Sequence, residues 1–122
     1  MLHKLNILVL EDEIERRNWF NKVFFKDEVT FCITFKKTIQ CLKNEDYDMV
    51  FLDRDLGDTK DNGEKVALEM MKQKLCLRAT IVIHTMNPQG QESMKSYLDK
   101  THKEVYVIPY TQLLKMKRKD FS

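Results

Sequence analysis

Short apolar runs alternate with longer amphipathic stretches along the chain. The apolar runs have the length of β-strands, and most are nearly continuous, which is typical of strands covered on both faces. The stretches between them carry apolar residues three and four positions apart, the spacing of one helix face. Strands are predicted at residues 5–10, 29–35, 49–52, 80–84 and 105–108. Helices are predicted at residues 13–25, 38–44, 63–75, 91–100 and 111–117, with a loop at 57–62 and a turn at 86–90.

The alternation of strands and helices predicts an α/β domain in which helices wind doubly around a five-stranded parallel sheet. We expect a single domain over residues 1–122, because no linker, repeat or shift in composition divides the chain. In sheets of this kind, ligands bind beyond the carboxyl ends of the strands. The residues directly after each strand are therefore the first candidates for a functional site.

Composition narrows the class of protein. The chain carries 21 Lys and Arg against 19 Asp and Glu, a net charge of +2, which gives no strong nucleic-acid signal. Its three cysteines, Cys32, Cys41 and Cys76, form no CxxC motif, which favours reduced thiols and a cytoplasmic location. No apolar stretch approaches the roughly 20 residues that span a bilayer, so no membrane contact is expected. The basic C-terminal residues are expected on a solvated helix end: Lys115, Lys117, Arg118 and Lys119.

Ionisable side chains come directly after three of the predicted strands. The first strand ends at Glu11 and Asp12, the third at Asp53, Arg54 and Asp55, and the fourth at His84 and Thr85. If these strands are neighbours, four carboxylates converge on one small volume, and such a cluster needs a proton or a cation. Oxygen ligands suit Mg²⁺ or Mn²⁺, and a nearby imidazole can move a proton. The sequence therefore predicts a phosphoester site at the carboxyl edge of the sheet.

Two structural alternatives stay open for these residues. Acids also stabilise helix N-termini, which accounts best for Glu13 and less well for Glu11. His84 is alternatively a satisfied histidine of the core. Motifs for other chemistries are absent from the sequence, including the Gly-rich phosphate loops, HExxH and GxSxG. An EF-hand spacing fails because Asp58 stands where that loop requires glycine.

The order of these residues resembles the receiver domain of bacterial response regulators over almost the whole chain. The resemblance rests on an acid pair after strand one, an Asp after strand three, a Thr after strand four and a Pro after strand five. It implies a flavodoxin-like sheet with the strand order 2-1-3-4-5. The implied roles are Glu11 and Asp12 as the metal-binding acid pair, Asp53 as the phosphoacceptor, Asp55 as a carbonyl ligand, Thr85 as the switch hydroxyl, and Ile108-Pro109 as a cis bond.

One departure from the receiver pattern bears on function. Receivers carry a Lys directly before that proline, where it pairs with the phosphoryl group, whereas this chain has Ile108. Three strings are instead similar to the cyclic-phosphate-processing receiver-like family of bacteria and phages. They are Leu10-Glu11-Asp12 with Glu15-Arg16-Arg17, Leu52-Asp53-Arg54-Asp55-Leu56-Gly57, and His84-Thr85-Met86-Asn87-Pro88 with Gly90 and Met94. That family lacks the lysine, adds a His after strand four, and is thought to act on nucleotide cyclic phosphates.

On this resemblance we predict metal-dependent, phosphoesterase-type processing of a nucleotide cyclic phosphate. The predicted site residues are Glu11, Asp12 and Asp53 for Mg²⁺ or Mn²⁺, His84, Asp53 and Asp55 for catalysis, and Arg17, Arg54, Thr85 and Asn87 for a small nucleotide-type phosphate ligand. Arginine is chosen because a guanidinium forks onto phosphate oxygens. The alternatives are a signalling module phosphorylated on Asp53, or a non-catalytic protein that binds a nucleotide or docks partners. A homodimer is left open.

Overall fold

Five strands form one parallel sheet in the computed structural model, which describes residues 3–56 and 62–121. The strands are β1 Asn6–Leu10, β2 Glu28–Cys32, β3 Met49–Leu52, β4 Thr80–Ile83 and β5 Val105–Val107. Their order is β2-β1-β3-β4-β5, and each neighbouring pair is parallel. The predicted doubly wound fold and its strand order are confirmed. Most of the predicted loop, residues 57–61, lies outside the described residues.

Helices alternate with the strands. They are α1 Ile14–Val23, α2 Phe35–Asn44, α3 Gly63–Gln73, α4 Pro88–Leu98 and α5 Tyr110–Leu113, and a 3-10 helix comes after them at Arg118–Phe121. Within the described part of the chain, no helix has the length and apolar character needed to cross a membrane.

Two predicted boundaries are wrong because polar side chains start helices earlier than the apolar pattern indicates. Strand β2 ends at Cys32, since the Thr34 side chain caps α2 by accepting a hydrogen bond from the backbone N–H of Lys37 at 3.2 Å. Asn87 likewise accepts from the N–H of Gly90 at 2.9 Å. The predicted turn at 86–90 therefore already contains the first turn of α4.

The C-terminal segment differs most from the prediction of a helix at 111–117. Helix α5 ends at Leu113. The Asp120 side chain accepts a hydrogen bond from the Lys117 N–H at 2.7 Å, at the start of the 3-10 helix. The sequence predicts Arg118 in solvent, yet its Nε lies 2.7 Å from Oδ2 of Asp27, whose side chain is 2% exposed. The peptide bond before Pro109 is trans, whereas the receiver resemblance implies a cis bond.

Side chains of the sheet alternate between two apolar layers, as the pleat of the strands requires. The layer under α1 and α5 contains Ile7, Val9, Phe51 and Val82, packed with Phe20, Phe24 and Leu113. The layer under α2, α3 and α4 contains Leu8, Leu10, Leu52 and Ile83, packed with Leu42, Val66, Met70 and Met94. Both faces are therefore covered, which explains the nearly continuous apolar strands in the sequence.

The register of the three central strands aligns the residues at their carboxyl ends. The last residues of β1, β3 and β4 lie level with one another: Leu10, Leu52 and Ile83. The ladder continues for one more step, since Asp53 N donates to Leu10 O at 3.1 Å and His84 N donates to Leu52 O at 3.0 Å. Glu11, Asp53 and His84 are therefore level, and the alternation of the pleat turns their side chains to the face of α1.

We predict that Asp27→Asn destabilises the protein at neutral pH. The Asp27 side chain is 2% exposed and accepts hydrogen bonds from Leu5 N at 2.8 Å and from Arg118. Burial works to raise the pKa of Asp27, but the Arg118 hydrogen bond and charge and the Leu5 hydrogen bond outweigh it and hold the pKa below its ordinary value. The ionised carboxylate thus stabilises the fold above pH ~4, and this contribution is lost as the pH falls through the lowered pKa. Urea denaturation at pH 7 should report a loss of about 1–3 kcal/mol.

Glu28→Gln is the matched control for this prediction. It breaks the pair of Glu28 with Lys4, whose side chains are 66% and 62% exposed and 3.1 Å apart. Exposed pairs contribute less than about 1 kcal/mol, so the control should lose little stability. A loss for Asp27→Asn that does not shrink on acidification would contradict the assignment.

Candidate functional site

Three ionisable side chains that are distant in sequence meet at the carboxyl edge of the sheet. Glu11, Asp53 and His84 come directly after β1, β3 and β4, and all three are buried. Nε2 of His84 lies 2.9 Å from Oε1 of Glu11. One potential ligand atom from each of the three residues lies within 4.8 Å of those of the other two. The structure therefore brings together three of the residues that the sequence singled out.

His84 lies beneath the site. Its ring makes edge contacts with Phe20 and Phe51, at centroid distances of 5.5 and 6.4 Å, and its side chain has no solvent exposure. With the proton on Nε2, the ring donates to Glu11. Nδ1 has no hydrogen-bond partner among the described residues. The histidine is thus bound to an acid through one nitrogen and lacks a partner for the other, unlike a fully satisfied core histidine.

Both carboxylate oxygens of Glu11 are engaged. Oε1 contacts His84, and Oε2 accepts a hydrogen bond from the backbone N–H of Glu13 at 3.2 Å. Burial works to raise the pKa of Glu11, but the hydrogen bond and charge of His84, the Glu13 backbone hydrogen bond and the charge of Arg16 together outweigh it. The pKa therefore lies below its ordinary value. Glu11 is therefore an ionised partner of His84, and each of its oxygens already makes one contact.

Of these three residues, Asp53 is the one that lines a cavity. Burial raises the pKa of Asp53 to about 6; the charge of His84 opposes this and that of Glu11 adds to it. Oδ1 accepts a hydrogen bond from Arg54 N at 2.8 Å, and Oδ2 lies 3.8 Å from Nη1 of Arg16. Within the described part of the chain, Oδ2 makes no hydrogen bond, so it is the oxygen open to a ligand.

A cavity of about 300 Å³ opens at Asp53. The residues that line it are Asp12, Glu13, Arg16, Asp53, Asp55, Thr85 and Met86. Of the three predicted metal ligands, Asp12 and Asp53 form the wall, whereas Glu11 lies behind it. A larger cavity of about 500 Å³ lies at the opposite edge of the sheet, before β3 and β4, and none of the predicted site residues lines it.

The predicted arginines, Arg17 and Arg54, do not line this cavity. Arg17 donates from Nη1 to the backbone oxygen of Glu11 at 3.1 Å, which ties α1 to the end of β1. Arg54 is directed towards α3, with Nε 2.8 Å from Oε1 of Glu64 and Nη1 3.0 Å from Oδ1 of Asp55. Both guanidinium groups therefore hold the rim of the site together.

Arg16 is the arginine that reaches the cavity, and sequence reasoning missed it. Its Nε lies 2.7 Å from Oε2 of Glu13, and its Nη1 lies 3.8 Å from carboxylate oxygens of both Glu11 and Asp53. Its Cζ lies 4.7 Å from the centroid of the Tyr110 ring. Neighbouring helix residues point about 100° apart, so the choice between Arg16 and Arg17 depends on where α1 begins and how it is rotated.

Thr85 and Asn87 follow β4 closely, but Asn87 is not among the residues that line the cavity. Thr85 lines it, and its hydroxyl oxygen accepts a hydrogen bond from Asn87 N at 3.2 Å. The Asn87 side-chain oxygen caps α4, so this residue has a structural role at the start of the helix. Gln91 adds a contact that the sequence did not indicate, because its Nε2 donates to the Thr85 carbonyl at 2.8 Å.

The wall of the cavity fits a divalent cation by its chemistry. Asp12, Asp53 and Asp55 supply carboxylate oxygens, which are the ligands that Mg²⁺ and Mn²⁺ prefer. Burial and the charge of Glu11 disfavour the ionised form of Asp53, and a cation at its open oxygen would relieve both effects.

Sheet order and the placement of the acids together define a receiver-like α/β fold, and solved structures agree. The chain is similar to the phosphorylated cyanobacterial phytochrome response regulator RcpA (TM-score 0.72, 16% identity, covering 97% of this chain and 91% of that one). It is also similar to the response regulator TrrA of Thermotoga maritima, solved in complex with Mg²⁺-BeF (TM-score 0.67, 24% identity, covering 95% and 97%). NtrX from Brucella abortus gives a TM-score of 0.66 at 17% identity over 98% of this chain, which spans only 25% of NtrX.

The family can be stated more closely than the fold. The family described as the cyclic-phosphate processing receiver domain matches residues 6–100, and the chain belongs to this family. No curated protein matches the chain. The sequence resemblance to this group is therefore confirmed.

Gly63→Ala should disturb the site through the backbone of Asp53. A Cβ at position 63 would lie 1.8 Å from the Asp53 carbonyl oxygen, and Gly63 N donates to Arg54 O at 2.8 Å. Overpacking against backbone costs about 1–3 kcal/mol or more. Gly90→Ala is the control, since the three atoms nearest to its Cβ belong to the Arg54 side chain, with Cδ at 2.4 Å, and none is backbone. Equal free energies of unfolding for the two variants would refute this interpretation.

Asp53→Asn should stabilise the protein at neutral pH in buffer without divalent ions. The raised pKa means that the folded state disfavours the ionised carboxylate, so folding stability falls as the pH rises from ~4 to about 6. A neutral amide removes this penalty, which amounts to about 1–3 kcal/mol above pH 7. Thermal melts from pH 4 to 8 should give curves that converge at low pH and separate at high pH. A variant less stable than the parent at pH 8 would contradict this.

Proposed function

We propose that this protein opens a cyclic phosphate on a nucleotide in a reaction that depends on Mg²⁺ or Mn²⁺. The observation that carries the proposal is the cavity whose wall combines Asp12, Asp53 and Arg16, with the Glu11–His84 pair buried behind Asp53. Membership of the cyclic-phosphate processing receiver family supports the class of substrate. The enzymatic activity itself is our inference from these two facts.

The proposed metal ligands are Asp12 and Asp53. Both line the cavity, and Oδ2 of Asp53 is open, whereas Glu11 is committed to His84. The relative TrrA was solved with Mg²⁺-BeF, which makes an oxygen-ligated cation at this edge of a receiver fold a reasonable expectation. A bound divalent ion would polarise the phosphoryl group and lower the pKa of a bound water.

The remaining acids and the histidine have separate tasks in this proposal. Asp55 stands at the cavity rim and accepts the proton of the attacking water. The new bond joins the water oxygen to phosphorus, the ring P–O ester bond breaks, and the proton ends on the released alkoxide. His84 is a positioning residue, because it touches Glu11 and lies close to Asp53 but does not line the cavity.

A second candidate is a signalling module in which Asp53 accepts a phosphoryl group. The receiver fold and the position of Asp53 favour it. Against it stands the apolar residue before Pro109: Ile108 packs on the apolar layer under α1 and carries no charge to hold an aspartyl phosphate. Thr85 lines the cavity and its hydroxyl can still donate a hydrogen bond, so Ile108 is the observation that counts against this candidate. We therefore rank this candidate second.

The deciding experiment is a panel of nucleoside 2′,3′- and 3′,5′-cyclic phosphates incubated with the protein and Mg²⁺ or Mn²⁺. Asp53→Asn and His84→Ala should each lower turnover at least about tenfold, which corresponds to ~1.4 kcal/mol of barrier. Chelation with EDTA should abolish turnover. Asp46→Asn is the control for the loss of one carboxylate, since Asp46 precedes β3 at the opposite edge of the sheet.

The other outcomes separate the alternatives. Unchanged rates in both variants would remove Asp53 and His84 from the mechanism. An acid-labile mass gain on Asp53 after treatment with acetyl phosphate and Mg²⁺, without turnover of any cyclic phosphate, would favour signalling. Tight nucleotide binding in calorimetry without turnover would favour a binding protein.

A further inference from the structure

An anionic ligand in this cavity needs a positive group in addition to a metal ion. Asp12, Glu13, Asp53 and Asp55 line the cavity, and their charges would repel a phosphoryl group. Among the residues that the structure describes, Arg16 is the one cationic side chain on the wall. Recognition of an anion there consequently depends on whether the Arg16 guanidinium has N–H donors that are not already paired.

The guanidinium of Arg16 is held in place, but not all of its hydrogen-bond donors are used. Its Nε pairs with Glu13 at 2.7 Å, and its face lies on the Tyr110 ring at 4.7 Å, within the range of a cation–π contact. Its Nη1 lies 3.8 Å from oxygens of Glu11 and Asp53, beyond hydrogen-bond distance. The side chain is 23% exposed. The two terminal nitrogens therefore make no hydrogen bond within the described residues, and Nη1 lies near the open oxygen of Asp53.

The side chains of the two other arginines near the site already make hydrogen bonds or ion pairs. Arg17 donates to the Glu11 carbonyl, and Arg54 is paired with both Glu64 and Asp55. Recruiting either of them would break contacts that hold the rim of the site. The end of β5 contributes the apolar Ile108. Of these three arginines, Arg16 alone offers terminal N–H groups to the cavity at no such cost.

We propose that Arg16, fixed by Glu13 and Tyr110, is the phosphoryl-binding residue of the site. It forks onto two phosphoryl oxygens with its terminal nitrogens, next to a cation at Asp12 and Asp53. Tyr110 is a positioning residue that fixes the plane of the guanidinium. This inference rests on the proposed function for the identity of the ligand as a phosphate ester, but it concerns binding and not turnover.

The test separates binding of an anion from binding of a metal. Inorganic phosphate is titrated calorimetrically in saturating Mg²⁺, and Mn²⁺ alone is titrated by electron paramagnetic resonance. Arg16→Gln should weaken phosphate binding roughly tenfold to hundredfold, which is the range for a charge-assisted contact. It should leave Mn²⁺ affinity unchanged or tighter, because a positive charge beside Asp53 is removed. A merely structural role would weaken both.

Two further variants sharpen the assignment. Arg16→Lys keeps the charge but loses the fork, so its phosphate affinity should lie between the parent and Arg16→Gln. Tyr110→Leu should weaken phosphate binding by a smaller factor than Arg16→Gln. Arg78→Gln is the control for the loss of one positive charge, since Arg78 is exposed just before β4 at the opposite edge of the sheet.

The outcomes are distinct from those of the proposed reaction. Phosphate affinity that is unchanged in Arg16→Gln, or absent in the parent protein with Mg²⁺, would overturn the assignment. Arg16-dependent phosphate binding without turnover of any cyclic phosphate would uphold this inference and reject the proposed reaction. Turnover of a cyclic phosphate with full activity in Arg16→Gln would do the reverse.

Discussion

The register of β1, β3 and β4 is the constraint on which the site depends. Because the last residues of these strands are level, the next residues, Glu11, Asp53 and His84, form one row above the aromatic layer of Phe20 and Phe51. A buried carboxylate in such surroundings is costly unless it is paired. The contact of Glu11 with His84 supplies that partner, and Asp53 is the acid that remains for a ligand.

Because Glu11 is paired with His84 and Asp53 is not, the pKa values of these two neighbouring acids differ. Glu11 and Asp53 are both buried. At Glu11 the surrounding hydrogen bonds and charges, those of His84 first, outweigh burial and lower the pKa, whereas burial raises the pKa of Asp53 to about 6. The difference comes from hydrogen bonding, since Glu11 has the imidazole at 2.9 Å and Asp53 has a single backbone donor. Environments that separate the pKa values of adjacent acids are typical of sites that must bind a cation or move a proton.

Much of the fold could be predicted from the sequence because its signals are local. Continuous apolar strands that end in charged residues predict a parallel sheet with a polar edge. The meeting of Glu11, Asp53 and His84 also required β1, β3 and β4 to be neighbours, an order that the receiver resemblance implied and the structure shows. The boundaries at Thr34 and Asn87 could not be predicted from apolar spacing, because side-chain caps set them.

The rotation of α1 could not be predicted either. Arg16 and Arg17 are equivalent as sequence, and only packing turns Arg16 onto Tyr110 and into the cavity. The pairing of Arg118 with Asp27 joins residues 91 positions apart, and no periodicity indicates such a contact. The directions of these side chains could therefore not be predicted from the sequence, because they depend on long-range packing.

The tightest approach at the site involves backbone. Helix α3 starts where Gly63 abuts the carbonyl of Asp53, and its N–H is bonded to the carbonyl of Arg54. No slack exists between the two segments, and α3 in turn packs beside α4. An occupant of the cavity therefore has to fit the Asp53 main chain where it stands, because the start of α3 leaves that backbone no room to retreat in its direction.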